Sequence, residues 1–173
     1  MQTESKRTFF HKRPLKPFLW YWVVLPSAII GSGKFIDFSL NFKELTPPWW
    51  VKTMAITCII AGFAVIEIAT RNLQKYGKGT PYTGKPSTRL VTNGIYKYCR
   101  HPMFFGYDIA GLGCIILFGS LGTLLIAFPI YLCLQNYALK NKEEARLIIK
   151  YGEDYRRYIQ QVPRLIPNFR RKI

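Results

Sequence analysis

The sequence predicts an all-α fold: a polytopic membrane protein with about four transmembrane helices and a C-terminal cytosolic amphipathic helix. Three observations predict it. Hydrophobic residues make up 49% of the chain while the net charge is +16, and the two are segregated, apolar residues in long blocks and basic residues between them. One pair of blocks is separated only by Gly119-Ser120, the mark of a helical hairpin. The last segment is charged, yet its apolar residues recur at helical spacing.

Segregation of this kind fits a bilayer, which a helix crosses with about 20 apolar residues. A nucleic-acid-binding chain could carry the same charge, but as a continuous basic stripe. Here the basic residues flank apolar blocks and fit the anionic face of a cytoplasmic leaflet, so no nucleic-acid partner is expected. At 173 residues there is room for one domain. It divides into a basic cytosolic arm (1–17), two spans (18–70), a loop (71–102), a helical hairpin (103–140) and a cytosolic tail (141–173).

The first span, about 18–36, contains Pro26 and Gly31-Ser32-Gly33, which predict a kink or early end. Its aromatic start, Phe18 to Trp22, and the lack of a small-x-small cleavage site favour a retained anchor over a signal peptide. The second span, about 49–70, comes after Pro47-Pro48, since proline is tolerated at a helix start, and opens on Trp49-Trp50, which suit the bilayer interface. The third (about 103–118) and fourth (about 121–139) form a tight antiparallel pair. Gly106, Ala110, Gly111 and Gly113 supply small residues for close helix approach. In the tail, Leu147, Ile148, Tyr151, Tyr155, Tyr158, Ile159 and Val162 predict an amphipathic helix over 142–162, lying on the protein or membrane surface and ended by Pro163 and Pro167.

Charge sets the orientation. The arm holds Lys6, Arg7, Lys12, Arg13 and Lys16; the stretch 71–101 holds seven basic residues and no acidic one; the turn 119–120 holds neither. Four spans with both termini cytoplasmic satisfy this alternation. Cys58, Cys99, Cys114 and Cys133 show no C-x-x-C spacing, so neither a disulfide framework nor a metal site is expected.

The most informative stretch runs from Leu90 to Gly106, polar and basic yet leading straight into a membrane helix. Pro102 biases His101 away from helix and can open the next helix. Arg100 and His101 would then stand at a helix N-terminus, where unpaired backbone N–H groups favour an anion. The same pair could instead anchor the helix to lipid headgroups. Glu143-Glu144 read either as partners of a cation or as a solvated helix start. Glu67 and Asp108 are acids within or beside spans, where acids are functional candidates by default; pairing with nearby basic residues is the simpler reading for Glu67.

The series Gly94-x-Tyr96-x-x-x-Arg100-His101-Pro102-x-Phe104-x-Gly106 resembles the core motif of the isoprenylcysteine carboxyl methyltransferase family, part of a wider group that includes membrane phospholipid methyltransferases. The resemblance continues through Glu143-Glu144-x-x-Leu147, Tyr151-Gly152-Glu153-x-Tyr155-x-x-Tyr158 and Val162-Pro163-Arg164-x-x-Pro167, with Gly79-Thr80-Pro81 and Leu90-Val91-Thr92 upstream. It implies S-adenosylmethionine as cofactor and a lipid-like or prenylated substrate arriving from the bilayer. It places Leu90, Val91, Tyr96, His101, Pro102 and Glu143 at cofactor contacts, with Thr88, Arg89, Arg100, Met103, Phe104 and Gly106 in the same stretches. His101 and the helix start would take the cofactor's carboxylate, and Glu143, helped by Glu144, its amine. Arg164 and Glu144 are the candidates for the reaction itself, Arg164 by steering an anionic substrate group.

Two positions depart from the family pattern. Phe104 stands where a tyrosine is usual, and Leu139, with Lys140 beside it, stands where the prenylcysteine enzymes carry an arginine. The implied activity is methylation of a carboxylate. Methylation of a phospholipid amine is the alternative, as is a membrane NADPH-dependent reductase of the sterol type, which the family resembles in its C-terminal half. A G-x-G-x-x-G fingerprint is absent from the sequence.

Overall fold

A computed structural model describes residues 23–79 and 87–168. The basic arm, the aromatic start of the first span, Thr80-Pro81 and the last five residues lie outside the described residues. What is described is helical, without strands: α1 (Leu25–Leu40), α2 (Trp49–Gly77), α3 (Pro102–Phe118), α4 (Phe128–Ala138), α5 (Glu144–Tyr151) and α6 (Glu153–Gln161).

α1 is not broken where the sequence predicts. Pro26 sits in its first turn, where a missing N–H costs nothing. Gly33 serves packing: a Cβ there would overlap Thr123, so the helix passes close to the start of the fourth apolar block. Asp37 fixes that contact. Its carboxylate accepts the Gly122 backbone N–H at 2.6 Å and the Ser120 hydroxyl at 2.5 Å.

α2 begins after Pro48, held extended at ψ 163°, and runs 29 residues, past the predicted end at 70. At 1.5 Å per residue it is roughly 44 Å long, more than a hydrocarbon core requires. It is the one helix among the described residues long and apolar enough to cross a membrane by itself; Pro102–Phe118 is apolar but shorter. Its last two turns project as a polar extension. There Glu67 pairs with Arg71 at 2.8 Å, both exposed, a contact that contributes little.

α2 and α3 form the main helix contact. Their backbones touch because small residues face each other. A Cβ on Gly106 would lie 2.7 Å from the Gly62 carbonyl oxygen, and one on Gly113 would lie 2.5 Å from that of Ala55. The predicted turn comes next, but its helices are not the tight antiparallel pair expected: α3 meets the fourth apolar block mainly at residues 123–127 and not along α4. Gly119 ends α3, its N–H shared between the Ile115 and Ile116 carbonyls, and its own carbonyl accepts the Leu45 N–H at 2.8 Å.

The fourth apolar block and the start of the tail are one helical path, not a span and then a separate helix. Two π-helical turns interrupt it. The first, Thr123–Ala127, precedes Pro129, whose ring and missing N–H disfavour a regular turn before it. The second, Leu139–Glu143, joins α4 to α5. The single helix expected over 142–162 is instead α5 and α6, split at Gly152, whose φ of 58° admits glycine at little cost. Tyr155, Tyr158 and Val162 form the core of this tail unit, backed by Leu90, Leu147 and Ile148.

Candidate functional site

The site is assembled from three pieces of chain far apart in sequence. The first is the segment 87–101, which has little regular structure beyond a 3-10 turn at Gly94–Lys97 and is pinned to the tail. Lys150 Nζ and the Tyr151 hydroxyl both donate to the Ser87 carbonyl, at 2.6 and 2.7 Å, and the Tyr158 hydroxyl donates to the Tyr96 carbonyl at 2.5 Å. The second is the start of α3, where His101 is the N-cap residue and Pro102 opens the helix. The third is the tail beyond α6. Its Pro163 and Arg164 carbonyls accept the backbone N–H groups of Arg100 and His101 at 2.9 and 3.0 Å, and Asn168 N–H returns to the Tyr98 carbonyl.

Glu144 is the electrostatic centre. Its Oε1 lies 2.6 Å from Arg100 Nη1, 3.0 Å from Arg164 Nε and 3.5 Å from His101 Nε2. Arg164 Nη2 reaches the other carboxylate oxygen at 3.3 Å, and its Nη1 donates to Asn136 Oδ1 at 2.8 Å. The Glu144 and Arg100 side chains are only 6% and 7% exposed. Burial alone would keep this carboxyl protonated; bonds from His101 and Arg164 and the charges of Arg100 and Arg164 outweigh it and hold its pKa at about 2. Glu144 is therefore ionised at neutral pH and engaged by two arginines.

The π turn explains why Glu144, and not Glu143, plays this part. One residue added to a helical turn rotates the next stretch of helix by about 100°. Glu144 turns to the arginines, and Glu143 is left on the wall of a cavity of about 300 Å³ between 87–104 and the tail. Arg89, Leu90, Val91, Tyr96, Arg100, His101, Pro102, Met103 and Phe104 line that cavity too, so most of the residues singled out from sequence meet there.

Four do not line it. Thr88 N–H bonds to the Gly77 carbonyl; Gly106 packs on Gly62; Glu144 and Arg164 stand behind the wall, holding each other. The sequence reading missed Leu73, on the α2 extension, and Leu147, Lys150, Tyr151, Tyr155 and Tyr158. The tail residues carried a signal in their helical periodicity, but that face is spent on the cavity rather than on a lipid surface.

Among the cavity residues, Arg100 Nε and the Tyr155 hydroxyl are buried polar atoms with no hydrogen-bond partner, while His101 Nε2 faces Glu144 Oε1 at 3.5 Å. Native proteins rarely leave such atoms unpaired without reason. The Tyr155 phenol is pushed up to about 12, by burial first and then by the charge of Glu144, and burial likewise raises Tyr96 and Tyr158. All three are neutral at any physiological pH. Cys99, fully buried, is pushed up to about 11 by that burial and stays a thiol, the inert state of a packed cysteine. Among the described residues, no group of histidine, cysteine and acidic side chains could hold a metal ion.

The described residues are helical, with one helix long and apolar enough to cross a membrane and, beside its C-terminal turns, a cavity lined by apolar and aromatic side chains together with Arg89, Arg100, His101 and Glu143. A family profile described as phospholipid methyltransferase matches residues 50–154, and the chain belongs to that family. It is similar to protein-S-isoprenylcysteine O-methyltransferase of Schizosaccharomyces pombe, 38% identical over 79 residues (45% of this chain, 33% of the relative). It is also similar to methanethiol S-methyltransferase 1 of Bradyrhizobium diazoefficiens, 28% identical over 170 residues (94% and 54%). The protein-S-isoprenylcysteine O-methyltransferase of Xenopus laevis is 34% identical over 157 residues (83% and 51%). The chain thus spans between a third and about half of the length of these relatives.

Proposed function

We propose that the chain is an S-adenosylmethionine-dependent methyltransferase acting on a membrane-soluble substrate, with a carboxylate as the methyl acceptor. The observation that carries the reading is the cavity at the start of α3. It sets the unpaired Arg100 Nε and the His101 helix start on the same wall system as the carboxylate of Glu143, an arrangement complementary to a zwitterion. Arg100 and the helix start fit the cofactor's carboxylate, and Glu143, which forms no ion pair among the described residues, fits its amine. When bound, S-adenosylmethionine supplies a methyl group on a cationic sulfonium.

Every other part of the chemistry belongs to this chain's own side chains. Arg100, fixed by Glu144, offers its remaining N–H to an anion and does not turn away. Tyr96, Met103 and Phe104 give aromatic and apolar wall that excludes water. Phe104 offers no hydroxyl, so its contribution is packing. A carboxylate acceptor is ionised at neutral pH and needs no base, whereas an amine must first lose a proton. Glu144, locked between arginines, is unsuited to take one.

The match over 94% of the chain to a methanethiol S-methyltransferase favours a thiol acceptor as the second reading. A sterol-type reductase has no counterpart among these three relatives. In the same reading the chain is a single unit with four spans, built on α1, α2, α3 and α4, and both termini face the cytosol. Described contacts support it: Asp37, Leu45 and the turn at Gly119-Ser120 meet at one end, while residues 87–101 and the tail meet at the other.

The test is transfer of tritiated methyl from S-adenosylmethionine into membrane lipid extracts by the detergent-purified protein, and then mild alkali. Label released as volatile methanol identifies an ester and supports the carboxylate. Alkali-stable label moves the assignment to a thiol or amine, and no transfer into any extract contradicts the proposal.

A further inference from the structure

A second cavity, of about 680 Å³, opens between α3, α4 and the end of the tail. Its wall is mostly apolar, with Ile109, Leu112, Phe128 and Leu132 facing Leu165 and Ile166. Asp108 interrupts it. One of its oxygens, Oδ2, accepts a hydrogen bond from Gln135 Nε2 at 3.3 Å. The remaining oxygens of the pair, Asp108 Oδ1 and Gln135 Oε1, are both buried and have no partner. An acid and an amide among apolar helices are costly to keep, and an unpaired buried acceptor forfeits its hydration with nothing in return. Two such acceptors on facing helices, one of them on a cavity wall, ask for a ligand that donates.

The place of this cavity links it to the first. Pro163 and Arg164 form part of its wall, and the same two residues accept the backbone N–H groups of Arg100 and His101, which line the other cavity. One short stretch of chain therefore separates the two. Arg164 has five N–H groups, of which three are engaged by Glu144 and Asn136. The polar side of the second cavity thus carries a cation, and its wall carries the acceptor Asp108, backed by Gln135.

We propose that this cavity holds the methyl acceptor, and that Asp108 with Gln135 selects an amphiphile whose apolar body is joined to a head bearing an N–H or O–H donor. The proposal rests on the methyltransferase reading of the neighbouring cavity and adds the chemistry of the acceptor to it. Asp108 is then a specificity-determining residue, and a head that lacks a donor is discriminated against.

Two tritiated probes, N-dodecylacetamide and its N-methyl derivative, differ in that one N–H. Their binding to the full chain in maltoside micelles is measured by equilibrium dialysis. The wild-type chain should prefer the secondary amide by about tenfold, the worth of one buried hydrogen bond. In Asp108→Leu/Gln135→Leu the preference should fall to roughly twofold or less. If that variant does not fold, Asp108→Asn keeps the shape, exchanges an acceptor for a donor, and should reduce the preference. Equal binding of the two probes by the wild type, or a preference unchanged in the variants, overturns the proposal. A parallel titration with S-adenosylhomocysteine separates the two claims. Amide preference without nucleoside binding sinks the methyltransferase reading alone, and the reverse sinks only the role of Asp108.

Discussion

Glu144 shows how much one carboxylate can organise. It joins α5 to the start of α3 through Arg100 and to the end of the tail through Arg164. Arg100 is buried and would lose its partner with the acid, and a buried charge stripped of its partner is far worse than no pair at all. Glu144→Gln should therefore lower the unfolding free energy by about 3–5 kcal/mol, read as a drop in thermal midpoint in detergent. The pH dependence comes from the same group. Its folded pKa lies below the ordinary value of 4.5, at about 2. Its contribution, about 3 kcal/mol, is complete above 4.5 and lost as pH falls through that value towards 2. Thermal midpoints of wild type and Glu144→Gln should differ most above about pH 5 and converge only as pH falls towards about 2. At this scale the sequence was informative about types and less so about roles. Arg100, His101 and the acidic pair were visible from their order and spacing. That Glu143 faces a cavity while Glu144 is consumed by arginines was not, because it depends on a helix irregularity that composition does not mark.

That irregularity belongs to the element scale. The π turn Leu139–Glu143 holds one residue more than a regular turn would, and the direction of the Glu144 carboxylate depends on it. Deleting Lys142, exposed in the turn, should let the helix close regularly and rotate α5 by about 100°. Glu144 would leave the arginines, and the loss of stability should match that of Glu144→Gln. A deletion that leaves the thermal midpoint unchanged would show the turn to be incidental. The helices themselves were largely legible. Apolar blocks marked α2, α3 and the turn after α3, though not that α4 would stand away from α3, and small residues in α3 marked the face that meets α2. Three features were not. α2 continues beyond its apolar core because Arg71, Asn72 and Leu73 are compatible with helix, with Asn72 against Gly94 and Leu73 on the cavity wall. α1 survives its glycines because Gly33 is needed against Thr123. The tail helix breaks at Gly152, which periodicity passes over.

For the whole molecule, the consequence is a division into two ends. One gathers the 41–48 loop and the Gly119-Ser120 turn; the other gathers 87–101, the π turn and the tail. Basic residues concentrate at the second end, which the proposed four-span arrangement places on the cytoplasmic side. In a cysteine-free background, Lys140→Cys in sealed, right-side-out membranes should resist an impermeant maleimide, and Asn41→Cys should react. Labelling of both from the same side contradicts the four-span arrangement. The periodic apolar stripe of the tail was legible, but its partner was not: an amphipathic face fits a membrane or a protein equally well until the segment 87–91 is seen lying across it. The central claim concerns the cavity between that segment and the tail. Calorimetric titration of the purified protein with S-adenosylhomocysteine tests it most directly. One site per chain is expected, weakened at least about tenfold by Glu143→Ala and by His101→Ala; absence of binding, or binding indifferent to both substitutions, would contradict it.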